Sequence, residues 1–261
     1  MEIATPQDRQ PAQLKNATLA APCRRDPLDR LIVALDLPST DAAMDMVGQL
    51  QGNCRWFKVG LELYCAAGNS VIEKLRKRGF SVFLDLKLHD IPNTVAGAVR
   101  TVARAGSSLL TIHASGGEQM MRAAVQAASA PEAPKLLAVT VLTSMDAAQL
   151  SGVGVSDSPA AQVLRLARLA KAAGIDGLVC SAEEVNAVRT VMGPDALLVV
   201  PGIRPAGTGE SAAADDQSRI ATPAQAIARG ASMLVVGRPI TQAASPCKAA
   251  AAILAEIERA S

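Results

Sequence analysis

Aromatic rings are nearly missing from this chain: three phenylalanines, one tryptophan and one tyrosine make up 2% of its residues. Proteins that hold nucleic acid usually line a groove with cations and stack bases on rings. Here the formal charge is only +2 and the densest basic cluster is KLRKRG around Arg76 to Arg78, so no nucleic-acid partner is expected. Histidine is scarcer still: His89 and His113 are the only two, too few for a multi-histidine metal centre. The five cysteines, Cys23, Cys54, Cys65, Cys180 and Cys247, are scattered and free of CxxC spacing. They read as reduced thiols of a cytoplasmic protein, neither a disulfide frame nor a zinc site. No apolar run approaches a membrane span, so no membrane partner is expected. The opening stretch, MEIATPQDRQPAQLKNATLAAPCRRDP, lacks the apolar stretch of a secretion signal. Its polar, proline-punctuated composition leads us to expect a loosely ordered extension over residues 1–26, followed by one domain over 27–261.

What the chain has is apolar residues, about half of its 261 positions, enough to bury a large core. From Leu31 onward, short apolar runs alternate with alanine-rich helical sequence. The runs are LIVALD (31–36), RWFKVG (55–60), SVFLDLKL (81–88), SLLTIHA (108–114), KLLAVTVL (135–142), GLVCS (177–181), ALLVVPG (196–202) and SMLVVG (232–237). Eight strands, each followed by a helix, imply parallel pairing with right-handed crossovers, and that number favours a closed barrel. The expected fold is therefore α/β, a single-domain (β/α)8 TIM barrel, whose usual length is about 250 residues. No GxGxxG follows the first strand, which argues against a dinucleotide-binding sheet.

The most informative stretch is FLDLKLHDIPNT, from Phe83 to Thr94. Leu84, Leu86 and Leu88 alternate with Asp85, Lys87 and His89, so one strand face is apolar and the other charged. Asp90 can cap a following helix and Pro92 suits its first turn. Taken alone, the stretch also fits a surface ion pair with a helix cap. Further polar residues fall near the C-terminal ends of other strands, where barrels carry their chemistry. Asp36 ends the first strand, Lys58 lies near the end of the second, and Thr143 and Ser144 follow the fifth. Asp36 could instead cap a helix, although Ser39 or Thr40 is better placed, and Lys58 could be a lysine that snorkels to solvent. Loops after the seventh and eighth strands are the usual barrel site for phosphate. Arg204, Gln217, Gly237 and Arg238 are the candidates there, and the long loop PGIRPAGTGESAAADDQSRIATP is expected to be a lid rather than a tether. Both arginines could also be plain surface charges. His113 reads as a packed or hydrogen-bonded histidine near the mouth.

In order along the chain, VALD, FKVG, DLKLHDIPNT, HASGG, VLTS, PGIRP, DDQ and VGRPI resemble the bacterial type of the orotidine 5'-phosphate decarboxylase family. The resemblance runs from about Leu31 to about Ile240. It implies a lyase converting orotidine monophosphate (OMP) to UMP and CO2, acting as a homodimer without metal or cofactor. By that similarity Asp36 and Lys58 would bind the ribose hydroxyls, and Asp85 and Lys87 would face the substrate carboxylate and reacting carbon. Asp90 and Thr94 would reach in from the neighbouring subunit. Thr143 and Ser144 would meet the pyrimidine, Arg204, Gln217, Gly237 and Arg238 the phosphate, and Ile91 and Pro201 would complete the substrate contacts. Lys87 would be the general acid, with Lys58, Asp85 and Asp90 as the other catalytic groups. Related Mg2+-dependent sugar-phosphate enzymes share DxKxxD but resemble ADAG after it and carry an acid where this chain has Lys58. A Schiff-base aldolase using Lys87 and a non-catalytic phosphate sensor are the remaining alternatives.

Overall fold

Each of the eight apolar runs becomes a strand, and the strands close in chain order into one parallel barrel. The computed structural model describes residues 26–50, 52–205 and 220–261. The strands are β1 Leu31–Ala34, β2 Trp56–Gly60, β3 Ser81–Leu88, β4 Leu109–His113, β5 Lys135–Val139, β6 Gly177–Val179, β7 Leu197–Val200 and β8 Met233–Val236. Several are shorter than their apolar runs. Beyond Val139 and Val179 the chain leaves the regular strands and builds the rim, although the Cys180 N–H still donates to the Val199 carbonyl at 3.3 Å. Residues 1–25, most of the expected extension, lie outside the described residues, as does Gln217.

The two faces of each strand go to two different cores, as a period of two requires. Ile32, Ala34, Phe83, Leu109, Leu137, Val199, Met233 and Val235 fill the barrel interior, with Trp56, Val179 and Leu197 against them. Their neighbours, such as Val33, Leu35, Phe57, Val59, Leu84 and Leu110, pack outward against the helices. The interior is tight at the β6–β7 seam. A Cβ placed on Gly177 would lie 2.0 Å from the Leu197 carbonyl oxygen, so a side chain there would force the strands apart.

The helices are α1 Thr40–Gln49, α2 Leu61–Ala67, α3 Asn69–Lys77, α4 Pro92–Ala105, α5 Gly117–Ala127, α6 Ala147–Gly152, α7 Pro159–Ala173, α8 Val185–Met192, α9 Pro223–Ala228, α10 Arg238–Thr241 and α11 Pro246–Arg259. Ser39 caps α1 by accepting from the Ala42 N–H, which leaves Asp36 free of any capping duty. The expected Asp90 cap of α4 is not formed. Ile91 occupies the capping position without a side-chain bond, and the Asp90 carboxylate accepts from the adjacent Ile91 N–H at 2.6 Å. Pro92 does start the helix, where its missing N–H costs nothing.

At the opposite end of the barrel Arg189, on α8, ties two loops together. Its guanidinium donates to the carbonyls of Gly193, Pro194, Ala196 and Gly230 and to the Ser232 hydroxyl. Truncation would leave several carbonyls without that donor, so Arg189→Ala is expected to cost ~3 kcal/mol of stability in a urea melt. No site residue lies nearby, and turnover per folded molecule should stay at the parental level.

Candidate functional site at the barrel mouth

The inward faces change character from bottom to top. Where β1, β2 and β3 carry Ile32, Trp56 and Phe83 below, they carry Asp36, Lys58, Asp85 and Lys87 above. Parallel pairing brings these charges together, because Ala34 lies opposite Lys58 and Gly60 opposite Asp85. They line a cavity of about 270 Å³ at the C-terminal mouth, floored by Ala34, Phe83, Val139, Val179 and Val235. Thr143, Pro201, Arg204, Gly237 and Arg238 line it from beyond the ends of β5, β7 and β8.

The four charges form a chain of alternating sign. Lys58 Nζ donates to Asp36 Oδ1 at 2.8 Å and lies 3.5 Å from Asp85 Oδ2, and Lys87 Nζ donates to Asp85 Oδ1 at 2.8 Å. The side chains of Lys58 and Asp85 are only 11% and 12% exposed, so Lys58 does not snorkel. Burial pushes the Lys58 pKa down, but the Asp85 and Asp36 carboxylates outweigh it and the ammonium titrates above its ordinary range. Burial likewise pushes Asp85 up, yet Lys58, Lys87 and the Thr111 hydroxyl together hold its carboxyl below the usual value. Partners present on both sides are what make such buried charges tolerable. Gly60 makes room for them: a Cβ there would sit 2.9 Å from both Asp36 Oδ1 and Lys58 Nζ.

Two features of this centre escaped the sequence reading. Thr111, fully buried on β4, donates through its hydroxyl to Asp85 Oδ1 at 3.0 Å and accepts from the Lys87 N–H at 2.8 Å. Its signal was a lone hydroxyl on the inward face of SLLTIHA, two residues before His113. Lys87 itself has φ of +50°, the one positive value at a non-glycine residue among those described. That left-handed conformation costs an ordinary residue about 1–2 kcal/mol. It coincides with a break in the β3–β4 ladder between Leu84 and Leu88.

His113 stands beside this centre, its ring 5.4 Å from that of His89. Its Nδ1 is buried with no hydrogen-bond partner. Burial first, then His89 and Lys87, lower its pKa from 6.5. The unfolded chain therefore takes up this proton before the folded one as pH falls. The associated stability is present above about pH 6.5 and is lost below it. Melting temperature should drop more steeply between about pH 7 and 5 in the parent than in His113→Asn; equal slopes would assign the acid sensitivity to other groups.

The remaining expected site residues divide. Thr143, Pro201, Arg204, Gly237 and Arg238 reach the cavity, whereas Ser144 is exposed and does not line it. Asp90, Ile91 and Thr94 are exposed and do not line the chain's own cavity, with Ile91 67% exposed. The segment between β7 and α9 has its ends pinned together: Ile203 bridges Ala221, and the Arg204 N–H donates to the Ala221 carbonyl at 2.9 Å. The expected lid within it, residues 206–219, lies outside the described residues. Of the cysteines, Cys180 lines the cavity, and Cys54 is buried with its thiol pushed up to about 12 by burial, which leaves it unreactive. Among the described residues no helix is long and apolar enough to cross a membrane, and no group of three or more acids, cysteines or histidines is placed to hold a metal.

Fold and cavity together define a (β/α)8-barrel protein with a charged site at its C-terminal mouth. The chain belongs to the orotidine 5'-phosphate decarboxylase / HUMPS family, whose model matches residues 29–253. It is 52% identical over 229 residues to the orotidine 5'-phosphate decarboxylase of Anaeromyxobacter dehalogenans, covering 88% of this chain and 98% of that one. It is 53% identical over 232 residues to that of Halorhodospira halophila, covering 88% and 97%. The crystal structure of orotidine 5'-phosphate decarboxylase from Lactobacillus acidophilus superposes with a TM-score of 0.76 at 41% identity, over 88% of this chain and 99% of that one.

Proposed function

We propose that the chain is an orotidine 5'-phosphate decarboxylase of pyrimidine biosynthesis, converting OMP to UMP and CO2 in the cytoplasm. The carrying observation is the Asp36, Lys58, Asp85, Lys87 array, set across one cavity from Arg204 and Arg238. Relatives about half identical over nearly their whole length carry that name. The two arginines suit a phosphate, with Gly237 and Gln217 as further ligands. Asp36 and Lys58 suit the ribose hydroxyls, and Thr143 and Pro201 the pyrimidine, whereas Ser144 lies outside the cavity.

The chemistry follows from what the ring cannot do. When the bond between C6 and its carboxylate breaks, CO2 leaves and the electron pair stays in the plane of the ring, where the carbonyls cannot delocalise it. The site must stabilise that pair electrostatically and then supply a proton. Lys87, held by Asp85 at the cavity wall, is suited to both tasks: a fixed cation beside the developing anion, then the acid that protonates C6. It regains its proton from solvent, so one proton is consumed per CO2 released. Asp85 would lie beside the substrate carboxylate, and the phosphate contacts supply the binding energy that holds the two together. No metal or organic cofactor enters these steps.

We further propose a homodimer in which Asp90, Ile91 and Thr94 complete the neighbouring site. Support comes from their exposure and from Leu61, 55% exposed at the end of β2. The deciding test is ultraviolet absorbance of OMP with purified protein, with and without EDTA. OMP is expected to disappear, with UMP as product, at the same rate in both. A rate abolished by EDTA would move the chain toward the Mg2+-dependent sugar-phosphate chemistry of its wider family, and UMP binding without any OMP turnover would make it a sensor.

A further inference from the structure

We infer that Thr111 is a positioning residue for Lys87, a role that rests for its kinetic consequence on the decarboxylase reading above. The β3–β4 ladder is regular at Phe83 opposite Leu109 and Leu84 opposite Leu110, then resumes at Leu88 opposite Ile112. Three residues of β3, Asp85, Leu86 and Lys87, thus face a single residue of β4, Thr111. Such a bulge bends its strand and re-aims side chains, and it leaves backbone groups in need of partners.

Thr111 supplies one from its side chain. Its hydroxyl accepts from the Lys87 N–H at 2.8 Å and donates to Asp85 Oδ1 at 3.0 Å. That same oxygen receives Lys87 Nζ at 2.8 Å. One hydroxyl therefore fixes the lysine at both ends: directly at its backbone, where φ is +50°, and through Asp85 at its ammonium. A strained backbone persists only when its surroundings over-determine it. Here the over-determining contact sits on a different strand, is wholly buried, and touches neither cavity nor substrate positions directly. The geometry makes Thr111 neither acid nor ligand, but the fixed point from which the reacting ammonium is hung.

Thr111→Val keeps the shape and removes the hydroxyl; Thr111→Ser keeps the hydroxyl and removes a methyl. In the full-length protein, Thr111→Val is expected to lower kcat for OMP by about 10- to 100-fold while KM stays within about threefold, as a misplaced but present reacting group predicts. Thr111→Ser should stay within about threefold of the parent in both constants. The acid limb of the kcat profile should move to higher pH in Thr111→Val, because Asp85 loses a donor that favours its charged form. Parental kcat in Thr111→Val, or equal loss in Thr111→Ser, would overturn the inference. Crystal structures of the parent and Thr111→Val give an arm independent of substrate: Lys87 is expected to leave its positive φ or its 2.8 Å contact with Asp85. An unchanged Lys87 would also overturn it. If Thr111→Val fails to fold, Thr111→Ala removes the same hydroxyl without a second γ-methyl and is read by the same criteria. Should the parent itself not turn over OMP, the decarboxylase reading fails, and the crystallographic arm alone decides the role of Thr111.

Discussion

Lys87→Ala is expected to lower OMP decarboxylation by at least about 1000-fold, since in the proposed mechanism it removes both the cation beside the developing anion and the proton donor. UMP should still bind, with a Kd within about tenfold of the parent, because Arg204 and Arg238, the proposed phosphate ligands, line the cavity from beyond the ends of β7 and β8 and are untouched by the substitution. Stopped ultraviolet assays and titration calorimetry with UMP measure the two quantities separately. The substitution leaves Asp85 with Lys58 at 3.5 Å and Thr111 at 3.0 Å as remaining partners, so the carboxylate is not stranded. Turnover surviving in Lys87→Ala would remove the lysine from the chemistry altogether. A parallel loss of UMP affinity would make it a binding group instead.

The second large effect concerns a residue that lies outside the single chain's own cavity. Asp90→Ala should be nearly inactive although Asp90 touches nothing in its own cavity. Co-expressed with Lys87→Ala, it should regain activity. In a mixed dimer one site combines both substitutions, while the other combines the intact Lys87 of one protomer with the intact Asp90 of its neighbour. Random pairing of equal amounts makes half the dimers mixed, so about one quarter of the parental activity per dimer is expected from isologous exchange. Were Asp90 to serve its own protomer, every Lys87-bearing site would lack it and no mixture could recover. Size-exclusion chromatography of the mixture confirms that dimers form.

The barrel was legible because its strands are short apolar runs separated by alanine-rich helices, a pattern that a parallel sheet buried on both faces imposes. Asp36, Lys58, Asp85 and Lys87 were legible for the converse reason, since charges near the ends of such strands have few structural uses. What pattern could not show was geometry that depends on a break in pattern. The bulge opposite Thr111 and the left-handed Lys87 arise where β3 departs from strict alternation with its neighbour. Local rules also misplaced the cap of α4: Asp90 has the right chemistry for a cap, but the chain turns one residue later, at Ile91. Asp90, Ile91 and Thr94 do not line the chain's own cavity, and Ser144 stays outside the cavity that Thr143 reaches.

The apolar plug beneath the cavity has a consequence for how product gas escapes. Ile32, Trp56, Phe83, Leu109, Leu137, Leu197 and Met233 occlude the barrel below the charged layer, and β6 crowds β7 at Gly177. That packing closes the lower end of the vessel among the described residues. In the proposed reaction CO2 exhausts upward through the opening by which the nucleotide entered, so the gas and the nucleotide share one doorway.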